Sequence, residues 1–398
     1  MARPPRDRRT NSGQGTPRGE GKPSDGRGGA LAPVLREPKA MPRPVKPGAA
    51  PRAWSSGTRT PEKDGEEERV MQYVNPGYDG SNGGVGLLAP PQPARSEGFD
   101  LLAGRLRSVV LLGGSIRRTR LIQATGRSVV DLPLTSRDTI LGHWVVQIGH
   151  LADELGLASL SARMVVGAKV PAPRSSREHS RVTLVVEGDS GDYRGTAGLL
   201  RDKTQDYHDD DLILVASAGQ VLTEPLTDLA LELAEAGGEA NLLAHENGTP
   251  SGLMLFTAAS LRCVPEIGYQ DFKEQALPQI AQERRVQVVT RSGHCAMPVR
   301  THQGYLEALR RYHRLDQSLG PPRAFEEDWR STFSLVEPGV EIASDVLIHD
   351  SVVLRGAQLE AGTTLVRCVA CPGSRLGAGA RATDMLLEGR WRKARKIG

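Results

Sequence analysis

The chain has 398 residues, 38% apolar and 25% charged, a length that accommodates two or three domains. No stretch approaches the roughly 18 consecutive apolar residues of a membrane-spanning helix, so no membrane partner is expected. Four cysteines exclude a disulfide scaffold and point to a reducing, cytoplasmic setting. Only 4% of residues are aromatic, so the core must rest on Val, Leu, Ile and Ala.

Charge is unevenly placed. Residues 1–60 carry 13 Lys and Arg against four acids, a net +9, so with a total of +4 the rest of the chain is at −5. The same segment holds 10 of the 27 prolines and 9 of the 45 glycines, with no helical or strand period. Too little apolar surface is available there to offset the conformational entropy of folding, which predicts a disordered basic extension over residues 1–104. Arg8-Arg9 is not followed by the apolar stretch that an export signal needs. Nucleic acid is expected as a partner only through this extension.

Ser108-Val109-Val110-Leu111-Leu112 is a continuous apolar run followed by Gly113-Gly114-Ser115, the pattern of a buried parallel strand that feeds a glycine loop. Such a loop lets backbone N–H groups approach phosphates, although neither a G-x-x-x-x-G-K-[ST] nor a G-x-G-x-x-G motif is present. Apolar residues at helical spacing from Leu141 to Leu155 predict a helix capped by Asp138 or Thr139. Strands are predicted over 162–166, 182–187, 212–216, 240–244 and 252–257, with a helix over 226–236. Strands alternating with helices imply an α/β domain with a mostly parallel sheet over 105–333.

Leu111-Leu112-Gly113-Gly114, followed by Arg118-Thr119-Arg120-Leu121, resembles the opening of the sugar-phosphate nucleotidyltransferase family, with the glycine loop altered. Arg127–Pro133 stands where that family has its Lys-Pro segment. Gly195-Thr196-Ala197-Gly198 is similar to the G-T-A-G beside the nucleotide, and Leu212–Leu222 to the strand that ends in N-G-D-x-L. Asp271–Pro278 resembles a late segment, and Thr301–Ala308 the closing T-P-x-x-Y-x-x-A; order and spacing agree over about 200 residues. The resemblance implies a Rossmann-like nucleotidyltransferase domain that binds a nucleotide and a sugar phosphate. It implies nucleotide contacts at Leu112, Gly113, Gly114, Ser115, Gly195, Thr196, Ala197 and Gly198. Arg118 and Arg127 are implied as the catalytic phosphate-contacting residues, with Arg117 and Arg120 as further basic groups.

Residues 334–388 carry a different period. Val336, Ile342, Ile348 and Leu354 recur in steps of six, followed by Leu359, Leu365, Cys371 and Leu376, with Val340, Val346 and Val352 in the same frame. No α-helix gives this spacing. A hexapeptide repeat does, each hexad forming one inward-facing strand of a short parallel β-helix of about three coils. In this reading Asp350 lies at an exposed turn, and residues 389–398 are a basic tail. A left-handed parallel β-helix after the α/β domain is also the common architecture of the family that the body resembles.

In that family, transfer of a nucleotidyl group to a sugar 1-phosphate uses Mg²⁺ held by two aspartates. The alignment puts Gln220 and Pro298 at those positions, so Mg²⁺ binding and catalysis are expected to be weak or absent, and no metal ligand set is assigned. Asp209-Asp210-Asp211 precedes the strand at 212–216, the wrong end for a ligand, and reads as a solvated loop. Cys368-x-x-Cys371 has half the spacing of a zinc site and no second pair, so packing is expected. His294 and Cys295 are expected to line the pocket. Two further readings stand beside a divergent transferase. One is a non-catalytic subunit that assembles with an active relative, a homo- or hetero-oligomer formed through either domain. The other is a hexapeptide-repeat acyltransferase, disfavoured by the short repeat with His349 as its one histidine.

Overall fold

The run Leu106–Leu112 is buried on both sides because it lies inside a large sheet as strand β1. The computed structural model describes residues 96–113, 119–167, 173, 177–188, 194–316 and 331–391. The extension before Ser96, Gly114, Ser115, Arg117, Arg118 and the tail after Trp391 lie outside the described residues, with the expectations placed on them.

The body runs α1 (Glu97–Arg105), β1, α2 (Arg120–Thr125), α3 (Ile140–Glu154), β2 (Leu160–Val166), β3 (Val182–Gly188), α4 (Gly195–Lys203) and β4 (Leu212–Ser217). It continues with β5 (Gln220–Leu222), α5 (Leu226–Glu235), β6 (Ala240–His245), β7 (Pro250–Thr257), α6 (Ala258–Arg262), α7 (Leu277–Glu283), β8 (Val286–Arg291), β9 (Ala296–Pro298) and α8 (His302–Asp316). The seven-stranded sheet has the order β3-β2-β1-β4-β7-β6-β8. Every neighbour pairs parallel except β7, which is antiparallel to β4 and β6.

Alternation splits the sheet's side chains between two cores. Val109, Leu111 and Leu214 join Trp144, Ile148 and Leu233 of α3 and α5. Val110, Ile213, Val215 and Phe256 join Ala197, Leu200 and Leu261 of α4 and α6. Thr139 caps α3 by accepting from the Gly142 N–H at 3.2 Å, and Trp144 at its centre donates Nε1–H to the Ala218 carbonyl at 3.1 Å.

The helix α1 overlaps the segment 1–104 expected to be disordered, so ordered structure is already present at Ser96–Gly104. Of its nine residues four are apolar, Phe99, Leu101, Leu102 and Ala103. The helix forms because Leu102 is fully buried and Gly98 brings the backbone close to α5, where a Cβ would stand 3.1 Å from the Leu231 carbonyl oxygen.

The C-terminal region is a parallel β-helix. Strands β10 (Ser334–Val336), β11 (Glu341–Ile342), β12 (Leu347–His349), β13 (Ser351–Val353), β14 (Gln358–Leu359) and β15 (Thr364–Val366) make its first two coils. β16 (Val369–Ala370), β17 (Arg375–Leu376), β18 (Arg381–Thr383), β19 (Leu386–Leu387) and β20 (Arg390–Trp391) complete it. They stack as β10-β13-β16-β19, β11-β14-β17-β20 and β12-β15-β18. Pairs such as Leu335↔Val352, Ile342↔Leu359 and Leu365↔Ala382 show a coil of 17 residues, two hexads and a pentad. The last pair, Arg375↔Arg390, closes in 15, so Arg390 and Trp391 belong to the β-helix and not to a tail.

The pentad moves the inward frame. The interior holds Val336, Ile342, Ile348, Val353, Leu359, Leu365, Ala370, Leu376, Ala382 and Leu387. Leu354 and Cys371, expected inside, point the other way into the body's core, as does Val352. The first stack is apolar on both faces because its outer face packs on the body, and this double burial conceals the frame in the sequence. Cys368 faces the interior and Cys371 the seam, and burial pushes the Cys371 thiol up to about 12.

Asp350 is a second correction. It occupies a left-handed corner at φ +43° but is only 1% exposed. Its Oδ1 accepts from the Thr332 and Phe333 N–H groups at 2.6 and 3.2 Å, and its Oδ2 meets Arg310 of α8 at 3.2 Å.

Candidate functional site

All strands of the large sheet except β7 end at one edge, where the ligands of open parallel sheets bind. β1 leaves there through Leu112, half-buried against the α4-side core, and Gly113, whose N–H donates to the Val165 carbonyl at 2.7 Å. A Cβ on Gly113 would press on the Met164 methyl group and on the Val165 carbonyl. β4 leaves beside it: the Ala218 N–H donates to the Leu112 carbonyl at 3.0 Å. Packing against Val165 therefore favours the glycine after β1 whatever else it does.

Gly195-Thr196-Ala197-Gly198 forms the first turn of α4, which starts at the same edge, after β3. Gly195 has φ +69°, and a Cβ there would collide with the Gln270 backbone, so glycine is needed. The Ala197 N–H donates to the Gln270 carbonyl at 3.2 Å. Ala197 and Gly198 are buried, Gly198 beneath the Arg194 guanidinium, which is paired with both Asp202 oxygens at 2.7 Å. Gly195 and Thr196 stay half-buried at the helix start, while Ala197 and Gly198 serve packing.

Gln220 and Pro298 come together. They are direct cross-strand partners in the two-stranded antiparallel sheet β5–β9, and the Val299 N–H donates to the Gly219 carbonyl at 2.8 Å. The magnesium implied by the resemblance does not fit them. A primary amide binds Mg²⁺ weakly, and proline has no ligating side chain. Among the described residues no three of His, Cys, Asp and Glu are grouped to hold a metal. Asp211 stands at the opposite edge, but it is 6% exposed rather than solvated, pairing with Arg107 at 2.9 Å and accepting from the His208 N–H. Two neighbours of Gln220 carry no sequence signal of function: Ser217, and Gly252 at the start of β7.

The Arg127 guanidinium is engaged by the β-helix, although Val129, two residues on, lies beside Gly219. Arg127 forms a two-point ion pair with Glu337 of the β-helix, at 2.6 and 3.1 Å. Arg120 faces Glu388 at 3.5 Å. Glu337, Leu354, Cys371 and Glu388 form one column on the outer face of the first stack, its carboxylates at the ends and its apolar members in the middle. Tyr305, fully buried, donates its hydroxyl to the Pro133 carbonyl, and burial raises its pKa well above that of a free phenol. His313 donates Nε2–H to the Leu134 carbonyl at 2.8 Å. The segments 127–133 and 301–308 thus pack on each other, and the Arg127 guanidinium is drawn to the nearest carboxylate, Glu337.

Of the pair expected to line the pocket, His294 is exposed and stacks on His245, with ring centroids 5.1 Å apart. Cys295 is fully buried in the α3-side core, where desolvation raises its thiol pKa.

No helix among the described residues is long and apolar enough to cross a membrane. No family model and no curated protein matches the chain. Among solved structures the chain is similar to a Bacillus anthracis protein described as a glucose-1-phosphate thymidylyltransferase, crystallised with sucrose. The two are 11% identical with a TM-score of 0.38, over 55% of this chain and 98% of that one.

Proposed function

We propose that the chain is a divergent sugar-phosphate nucleotidyltransferase-like protein that binds nucleotide and sugar phosphate and carries out little or no transfer. The observation that supports this most is the cross-strand pair Gln220–Pro298 at the carboxyl edge of a parallel sheet. In the reaction of the family it resembles, a sugar-phosphate oxygen attacks the α-phosphorus of a nucleoside triphosphate and pyrophosphate leaves. Negative charge on the phosphate oxygens is then stabilised by a carboxylate-held cation. Gln220 and Pro298 supply no carboxylate, whereas the half-buried Gly195 and Thr196 present the start of α4, a helix N-terminus that suits phosphate oxygens. The pairing of Arg127 with Glu337 removes a second element of that chemistry.

The test is pyrophosphate release by the whole chain with ATP, GTP, UTP and dTTP, each with glucose 1-phosphate and with mannose 1-phosphate, in Mg²⁺. Binding of one nucleotide with release at background rate is expected. Robust turnover with any pair refutes the loss of transfer.

A further inference from the structure

Gln220 opens β5 and is 2% exposed. Its carboxamide lies against the start of β7. A Cβ at Gly252 would stand 3.1 Å from its Oε1 and 3.6 Å from its Nε2, with Ser217 Cβ 3.2 Å from the same point. Gly252 has φ +82°, so the backbone there favours glycine and the amide occupies the space that glycine leaves. The Nε2 is buried and has no hydrogen-bond partner among the described residues. Across the ladder, Pro298 brings neither an N–H nor a polar side chain.

Compared with the carboxylate that the resemblance implies, an amide keeps one acceptor oxygen, a weak cation ligand, and gains a donor. A carboxylate only accepts, and so attracts a cation that in turn attracts ligand oxygens. An amide NH₂ donates, repels a cation and meets a ligand oxygen directly. Resting on the nucleotide-binding reading above, we infer that this edge takes a nucleoside triphosphate without a divalent cation, with Gln220 Nε2 donating directly to a ligand oxygen. The orphan donor is the group that such an oxygen satisfies, and Pro298 leaves nothing to recruit a metal beside it.

Calorimetry on the whole chain tests this with ATP, GTP, UTP and dTTP as probes, each in Mg²⁺ and in EDTA. The nucleotide that binds should do so with affinities within about threefold in the two buffers. Gln220→Ala should weaken it about tenfold, the loss of one hydrogen bond to a charged acceptor. Gln220→Glu, of equal size, should weaken it further in EDTA and make binding depend on Mg²⁺; it also serves if the alanine variant melts early. Wild-type binding abolished by EDTA overturns the inference and leaves nucleotide binding standing. So does metal-independent binding that neither substitution alters, because a buried water then satisfies the amide. If no nucleotide binds in either buffer, the nucleotide-binding reading itself falls, and this inference with it.

Discussion

At the seam between the body and the β-helix, Arg127 and Arg120 reach to Glu337 and Glu388, and Arg310 reaches to Asp350; within the body, Tyr305 and His313 of α8 hold the Pro133 and Leu134 carbonyls. At the carboxyl edge of the sheet, Gly113, Ser217, Gln220 and Gly252 are uncharged, while Glu187, Arg194 and Arg291 at the same edge are each in an ion pair. Arg127 serves the seam, and Tyr305 the packing of α8 on Pro133. The difference teaches that the charged groups of this molecule that are paired across the seam hold two parts of the fold together. Where carboxylates and arginines face each other across a seam, breaking one should cost stability. Where neutral groups line an edge, substitution should show in binding.

The largest effect is expected from Asp350→Ala. The substitution removes two backbone hydrogen bonds and leaves Arg310, whose side chain is 19% exposed, without its buried partner. Removing one member of a buried pair and placing alanine at positive φ together predict a loss of about 3 kcal/mol in urea unfolding. A loss below about 0.5 kcal/mol, the level of an exposed turn, would show that this corner does not tie the β-helix to α8.

Arg127→Ala comes next. The pair is well shielded, with side-chain exposures of 22% and 16%, and Glu337 keeps the Arg355 N–H at 2.7 Å after the arginine is gone. A loss of about 1.5 kcal/mol is expected, with nucleotide affinity unchanged. The opposite result, normal melting with binding lost, would return Arg127 to the edge and erase the contrast between the two regions.

How much of this was legible depended on how many faces of each element are buried. β1 and β4 read correctly because strands covered on both faces are unbroken apolar runs, and α3 because its Trp144 and Ile148 recur at helical spacing. β8 has no counterpart in the sequence reading: it is the last strand at one side, with Val288 61% exposed, so it shows neither an apolar run nor clean alternation. The β-helix was legible as a repeat, but its pentads were misplaced by one residue wherever the first stack is buried on both sides. The meeting of Gln220 and Pro298 follows from matching both to one family site. The loss of Arg127 to Glu337 was invisible, because no local pattern joins residues 210 apart.

The smallest effect separates two aspartates that share one position in the repeat. Asp384, at φ +55°, sits two coils beyond Asp350 in the same left-handed corner, but its side chain is half-exposed and pairs with Arg367 at 2.6 and 3.0 Å. The Arg367 hydrogen bonds hold its carboxyl below the ordinary value of 3.8. A folded-state pKa below the unfolded one gives stability that is complete above the unfolded value and is lost as pH falls through the folded one. Solvent screens this exposed pair, so the contribution should be only about 0.3 kcal/mol. Urea midpoints of the wild type and Asp384→Asn, followed from about pH 5 down to about pH 2, should therefore differ slightly at the upper end and converge at the lower. The gap should also shrink in high salt. If Asp384→Ala cost as much as Asp350→Ala, the corner's backbone geometry rather than the burial of its carboxylate would set the energy, and the seam would lose its special standing.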